Sequence, residues 1–162
     1  MGIKEKILVL LQNNARLTAE EIAVMTDTPV EEVRRLIEEM EKDKVILGYS
    51  AAINWEKTDL DPVTALIEVR VTPQRDQGFD RIARRIYQFP QVKDCYLMSG
   101  DFDLMVIVSD RSLKAVAQFV SEKIAPLESV VSTKTHFILK TYKMNGLEFI
   151  TQDEDRREAV VL

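Results

Sequence analysis

The segment Val92-Lys-Asp-Cys-Tyr-Leu-Met-Ser-Gly-Asp-Phe-Asp-Leu-Met-Val-Ile-Val108 gives the clearest indication of the fold. Two runs rich in β-forming residues meet at a short turn, Ser99-Gly-Asp101, which predicts a β-hairpin. The returning run, residues 104–108, is continuously apolar, as is typical of a central strand covered on both faces. The outgoing run carries Lys93 and Asp94, so we expect it to be an edge strand.

The sequence on either side of the hairpin completes a split βαβ, or ferredoxin-like, order. A strand at residues 63–72 precedes a helix with Ile82 and Ile86 on its apolar side, and this helix ends at Pro90. After the hairpin, a helix that ends before Pro126 precedes a long strand at residues 130–142. The order βαββαβ therefore predicts an α+β domain over residues 63–144.

Three short helices are predicted before residue 50, the first ending at Asn13-Asn14. The second and third begin at capping-box spacings, Thr18-Ala-Glu-Glu21 and Thr28-Pro-Val-Glu31, where a Thr side chain and a Glu carboxylate satisfy free amides. Pro29 is expected at the first helical position. A tight turn near Asp27 and an outgoing strand, Val45-Ile-Leu-Gly-Tyr49, fit a helix-turn-helix, although a plain protein-binding bundle fits as well.

The domain organisation follows from a polar segment that ends at Pro62. We expect a helix-turn-helix domain at residues 1–50, a linker strand at 51–62, the ferredoxin-like domain at 63–144 and a C-terminal tail at 145–162. The tail is either disordered or an added strand in an oligomer.

Helices cover only one face of a ferredoxin-like sheet, yet these strands carry apolar residues for both faces. Notable among them are Leu66, Leu104, Val106 and Ile138. An open apolar face marks an interface. The sequence therefore predicts a homodimer built on sheet faces.

Composition limits the classes of partner. The formal charge of -5 and pI near 5.1 argue against broad, sequence-independent binding to nucleic acid or to an anionic membrane. Cys95 is the only cysteine, which excludes an internal disulfide and any multi-cysteine metal site. No apolar run is long enough to span a bilayer and no signal-peptide pattern is present, so we expect a cytoplasmic protein without a membrane partner.

The chain resembles the Lrp/AsnC, or feast/famine, family of prokaryotic transcription regulators over about residues 1–144. The most specific pieces are Val45-Ile-Leu-Gly-Tyr-Ser-Ala-Ala-Ile-Asn54, Ser99-Gly-Asp-Phe-Asp103 and Thr133-Lys-Thr-His-Phe-Ile-Leu-Lys-Thr-Tyr-Lys143. The resemblance implies a winged helix-turn-helix domain for double-stranded DNA and a ferredoxin-like, RAM-type domain. The latter would sense a small-molecule effector, commonly an amino acid, and form dimers that often assemble into octamers; no cofactor is expected.

The family's effectors lie between subunits near the glycine-aspartate turn. Carried over to this sequence, the resemblance implies an effector site made of Met98, Ser99, Gly100, Asp101, Asp103, Thr133 and Thr135. Carboxylates suit an α-amino group, while hydroxyls and backbone amides suit an α-carboxylate. The alternative is that Asp and Gly are ordinary hairpin residues and that the threonines only build the oligomer.

The DNA-binding half departs from the family pattern. The resemblance implies DNA contacts by Arg34 and Arg35 on the third helix, with Thr28 or the turn before it at the DNA backbone. However, Leu36, Glu38 and Glu39 occupy positions where Arg or Lys is usual. Residues 1–50 carry seven basic and ten acidic side chains, a net charge of -3. Carboxylates repel phosphates. The arginines could instead pair with glutamates along the helix, which would leave a ligand-binding oligomer with weak or no DNA binding.

The remaining functional class to consider is an enzyme. His136 is the only histidine, and the sequence has neither a glycine-rich phosphate loop nor a Cys/His set with metal spacing. Sirohaem decarboxylases look similar in domain order, so contact between His136 and a tetrapyrrole is the enzymatic alternative. We expect a regulator and not an enzyme.

Overall fold

A computed structural model describes residues 1–72 and 78–149, and the chain divides into two compact units, Met1–Ile53 and Asn54–Leu162. The first unit consists of helices α1 (Ile3–Asn13), α2 (Ala19–Thr26) and α3 (Val30–Lys42). Ile7, Ile22 and Val33, one from each helix, are fully buried and form the centre of its core.

The start of α2 confirms the first predicted capping box. The Glu21 amide donates to the Thr18 hydroxyl over 3.2 Å, and the Thr18 amide donates to the Glu21 carboxylate over 2.8 Å. The tight turn between α2 and α3 is also confirmed, because Asp27 adopts a left-handed conformation with φ of 51°.

The prediction of a second capping box, at the start of α3, is wrong. Pro29 is itself the residue that caps α3, one position before the first helical residue, and no side chain caps this helix. Thr28 therefore lies outside the helix, and its hydroxyl donates to the Thr26 carbonyl over 3.2 Å.

The predictions of a strand at residues 45–49, after α3, and of a linker strand at residues 51–62 are also wrong, because neither segment forms a strand in the single chain. The Val45 and Ile46 amides donate to the Met40 carbonyl, which continues the end of α3, and the regular element of the linker is a short 3₁₀ helix, Trp55–Lys57. An extended segment becomes a strand only beside a partner, and no strand pairs with residues 45–62 among those described.

The second unit has the predicted βαββαβ order. Its elements are β1 (Val63–Val71), α4 (Asp80–Tyr87), β2 (Val92–Leu97), β3 (Leu104–Asp110), α5 (Leu113–Phe119), a π-helical turn (Val120–Ile124) and β4 (Val130–Phe137). The antiparallel sheet has the order β2-β3-β1-β4. The hairpin is therefore confirmed, with β3 central and β2 at the edge.

The helices cover the sheet face that carries Ile67 and Val69 of β1 and Val106 of β3, all fully buried. Ile86 of α4 and Ile124 of the π-helical turn pack against this face and are also fully buried. In both central strands buried residues alternate with partly exposed ones. Helices therefore cover only one face of β3, and not both faces as its continuous apolar run suggested.

The last strand is shorter than predicted, since β4 ends at Phe137 and not at Tyr142. The Ile138 amide still donates to the Thr64 carbonyl over 2.9 Å, but β1 begins at Val63, so the residues that follow have no partner strand. Two short strands, β5 (Lys143–Met144) and β6 (Leu147–Glu148), then form a small hairpin. Most of the predicted tail, residues 150–162, lies outside the described residues.

None of the described helices has both the length and the apolar composition needed to cross a membrane.

Candidate functional site

Asp103 attaches the hairpin turn to the end of β1. Its carboxylate accepts a hydrogen bond from the Val71 amide at 2.8 Å, its amide donates to the Val69 carbonyl at 3.1 Å, and its carbonyl accepts from the Met98 amide at 2.8 Å. Because β3 begins only at Leu104, β1 extends past it, and the Asp103 carboxylate takes the place of the missing strand partner.

The rest of the turn is exposed. Gly100 has a φ of 132°, a conformation that L side chains rarely adopt. Met98, Ser99 and Asp101 are exposed beside it. Within the described residues no hydrogen bond or ion pair engages the Asp101 carboxylate. The two aspartates of the turn therefore differ: the Asp103 carboxylate connects the turn to β1, whereas the Asp101 carboxylate makes no hydrogen bond or ion pair with the described residues.

Thr133 and Thr135 lie on the other side of β1. The strand register pairs Thr133 with Val69 and Thr135 with Ile67, which places both threonines, half-buried, on the helix-covered face. Asp103 and Thr133 thus flank Val69 from opposite sides, one strand apart, while Thr135 lies two residues further from the turn. The structure brings the predicted effector residues toward one end of the sheet, with β1 between the turn and the two threonines.

The two predicted DNA-contacting arginines of α3 are exposed and ion-paired. Arg34 contacts the Glu20 carboxylate of α2 and lies 3.4 Å from the Glu31 carboxylate. Arg35 lies 3.2 Å from the Glu39 carboxylate. The pairs along α3 that were considered as an alternative to DNA contact, with Glu31 and Glu39, are therefore present.

Two of the ion pairs join different helices: Arg34 of α3 with Glu20 of α2, and Lys4 of α1 with Glu39 of α3 at 2.7 Å. A hydrogen bond to its own backbone amide, followed by the Arg34 guanidinium, lowers the pKa of Glu20. The Lys4 ammonium, followed by Arg35, lowers the pKa of Glu39. Both carboxylates are therefore ionised near neutral pH and compensate the charge of the arginines.

The sheet face without helices carries a mixture of apolar and charged residues. Leu66, Met105, Ile107 and Ile138 supply the apolar part. Of the residues expected on an open face, Leu66 and Ile138 lie on it, whereas Leu104 and Val106 are buried on the covered face. Met105 and Ile107 were missed, although strict alternation along β3 identifies them.

His136 also lies on this open face. Its Nε2 atom is 2.9 Å from the Oε1 atom of Glu68 on the neighbouring strand. Among the described residues no three His, Cys, Asp or Glu side chains are placed to hold a metal ion. In this chain, the histidine is engaged in a cross-strand pair.

Two family models match the chain: Lrp/AsnC ligand binding domain over residues 64–147, and winged helix-turn-helix DNA-binding over residues 2–46. The uncharacterised helix-turn-helix transcriptional regulator YugG of Bacillus subtilis is 51% identical over 164 residues, which cover 99% of each chain. The leucine-responsive regulatory protein of Haemophilus influenzae is 27% identical over 149 residues, or 90% of this chain and 87% of that one. A solved Neisseria meningitidis transcriptional regulator in complex with L-Met has a TM-score of 0.71 at 24% identity, covering 89% of this chain and 92% of that one.

Proposed function

We propose that an amino acid binds at the hairpin turn of this chain, which belongs to the Lrp/AsnC family of transcriptional regulators, and that the bound amino acid changes how the protein acts on DNA. The protein is a regulator with a helix-turn-helix DNA-binding domain and a ligand-binding domain, and not an enzyme. Acting on DNA in a prokaryotic cell, it would work in the cytoplasm.

The observation that carries the proposal is the difference between the two aspartates of the turn. Asp103 is engaged by backbone amides, whereas the Asp101 carboxylate is exposed beside Gly100 and has no partner among the described residues. A free carboxylate can accept hydrogen bonds from an ammonium group. The likeness to a regulator in complex with L-Met supports an amino acid as the ligand class.

The second half of the site would come from another copy of the chain. The turn and the hydroxyls of Thr133 and Thr135 are separated by β1, so one chain does not bring them around one ligand. We propose a homodimer formed through the open sheet face. Because Thr133 and Thr135 lie on the helix-covered face, we propose that the effector binds at a further contact between subunits, as an octamer would provide. Leu66 and Ile107 lie side by side on the open face, where burial against a second sheet would remove them from water. Sedimentation distinguishes the dimer from an octamer.

On the DNA side, we propose that α3 reads the duplex, with Arg34 and Arg35 in contact with it and Thr28 at the phosphate backbone. Each arginine must break its ion pair with a glutamate before it can contact DNA. The affinity for DNA is therefore lower than the number of cations suggests. This pairing also favours a second candidate function, a ligand-binding oligomer that binds DNA weakly or not at all.

The test is a selection of the purified protein against random duplex DNA at low salt, with and without a mixture of amino acids. We expect enrichment of a two-fold symmetric site and a change in that enrichment when the mixture is present. No enrichment in either pool would overturn DNA binding. Enrichment that the mixture leaves unchanged would overturn the amino-acid effector.

A further inference from the structure

Helix α4 carries three arginines on one side. Arg81, Arg84 and Arg85 have the spacing i, i+3 and i+4, and all three are exposed. Ile82 and Ile86, on the opposite side, are buried against the sheet. We call the three arginines the arginine stripe.

The arginine stripe differs from the arginines of α3 in its surroundings. Within the described residues neither Arg84 nor Arg85 forms an ion pair or a side-chain hydrogen bond, whereas Arg34 and Arg35 are paired with glutamates. The acidic residue of α4 is Asp80, at its first position. A concentrated positive charge therefore lies on the ligand-binding domain, while residues 1–50 carry a net charge of -3.

The surface beside the arginine stripe suits an anionic partner. A shallow cleft next to α4 is lined by Arg81, Arg85 and Ser129, and it also contains Glu128, which offsets part of the charge there. Arg84 lies outside this cleft, and Tyr87, three residues further along the helix, is 51% exposed. Guanidinium groups bind phosphate oxygens through two parallel hydrogen bonds, and a tyrosine hydroxyl can donate another.

We propose that the arginine stripe contacts the phosphates of the DNA that the protein binds, outside the helix-turn-helix domain. This inference rests on the proposed DNA binding. Affinity for a duplex depends on cations that displace condensed counterions from phosphates. Three of the seven cations of residues 1–50 form ion pairs with glutamates, including both arginines of α3, whereas Arg84 and Arg85 of α4 form none with the described residues. DNA is favoured over an acidic protein because the chain is a DNA-binding regulator.

The experiment compares two full-length double variants with the wild type. Arg84→Ala with Arg85→Ala removes two charges from α4. The control, Lys114→Ala with Lys123→Ala, removes two exposed charges from α5 and from the π-helical turn that follows it. Affinity is measured for a selected duplex and for an unrelated duplex over a range of salt concentrations. Sedimentation of each protein without DNA is measured alongside.

The arginine variant should bind both duplexes more weakly, and its plot of log affinity against log salt should become shallower by about 0.9 for each phosphate that is no longer neutralised. The lysine variant should match the wild type. An arginine variant with the wild-type slope would overturn the inference, and altered self-association at that unchanged slope would identify a second copy as the partner. A wild-type protein that binds no duplex would overturn the proposed function and this inference together.

Discussion

The Asp103 carboxylate accepts a hydrogen bond from the Val71 amide at 2.8 Å and so completes β1 where β3 has not yet begun. Asp101, two residues earlier in the same turn, has no such role. Replacing Asp103 should therefore change the free energy of unfolding, whereas replacing Asp101 should change effector binding.

Replacing Asp103 should affect stability. Asp103→Ala leaves the amide of the buried residue Val71 without its acceptor, and we expect a loss of about 1–3 kcal/mol in the free energy of unfolding. Urea unfolding measures this loss. Asp101→Ala is the matched control and should unfold like the wild type; an equal loss in both variants would contradict the assigned roles.

Replacing Asp101 should affect the effector instead. Asp101→Asn keeps the size of the side chain and removes the charge that would pair with an α-ammonium group. Calorimetric titration with the amino acid of the mixture that changes DNA binding should show weaker binding, by about tenfold or more for the removal of a charge-assisted hydrogen bond. Unchanged affinity would place the ligand elsewhere.

Glu20 should limit DNA binding because it compensates the charge of Arg34. In Glu20→Gln the guanidinium keeps only its longer contact with Glu31, so affinity for the selected duplex should rise and the salt dependence should steepen, by up to about 0.9 in slope. Glu5→Gln removes an equal charge from an exposed position on α1 without freeing an arginine. Equal effects of the two substitutions would show that only overall charge matters.

The lowered pKa values of Glu20 and Glu39 predict the pH dependence of stability. A carboxylate whose pKa is lower in the folded state stabilises that state fully above its unfolded pKa, here 4.5, and this contribution disappears as the pH falls through the folded pKa. The melting temperature should therefore decrease on acidification below about pH 4.5. The decrease should be smaller in the Glu39→Gln variant; an identical decrease would contradict the ion pair with Lys4.

The open sheet face should be required for dimerisation. Leu66→Glu places a charge beside Ile107 at the centre of this face and should give a folded monomer in sedimentation. Leu113→Glu introduces the same side chain at an exposed position of α5 and should leave the dimer intact. A Leu66→Glu protein that remains dimeric would exclude this face as the interface.

The sequence was sufficient for the order of elements, because β1 alternates apolar with polar residues, a Ser-Gly-Asp turn separates the two runs of the hairpin, and Thr18 and Glu21 stand at capping distance. The sequence did not predict structural features that depend on residues distant in the chain. The end of β4 is set by the start of β1, and the ion pair of Arg34 with Glu20 depends on how α2 and α3 pack. Likewise, the different roles of Asp101 and Asp103 depend on how far β1 extends past β3.

The central claim, that this regulator couples an amino acid at the turn to DNA binding, is tested most directly by titrating the selected duplex with the wild type and with Asp101→Asn. Each titration is made with and without the amino acid. We predict that the amino acid shifts the midpoint of the wild-type titration and that Asp101→Asn binds the duplex with the wild-type midpoint and shows little shift. A wild-type midpoint that the amino acid leaves unchanged, or an equal shift in both proteins, would contradict the account.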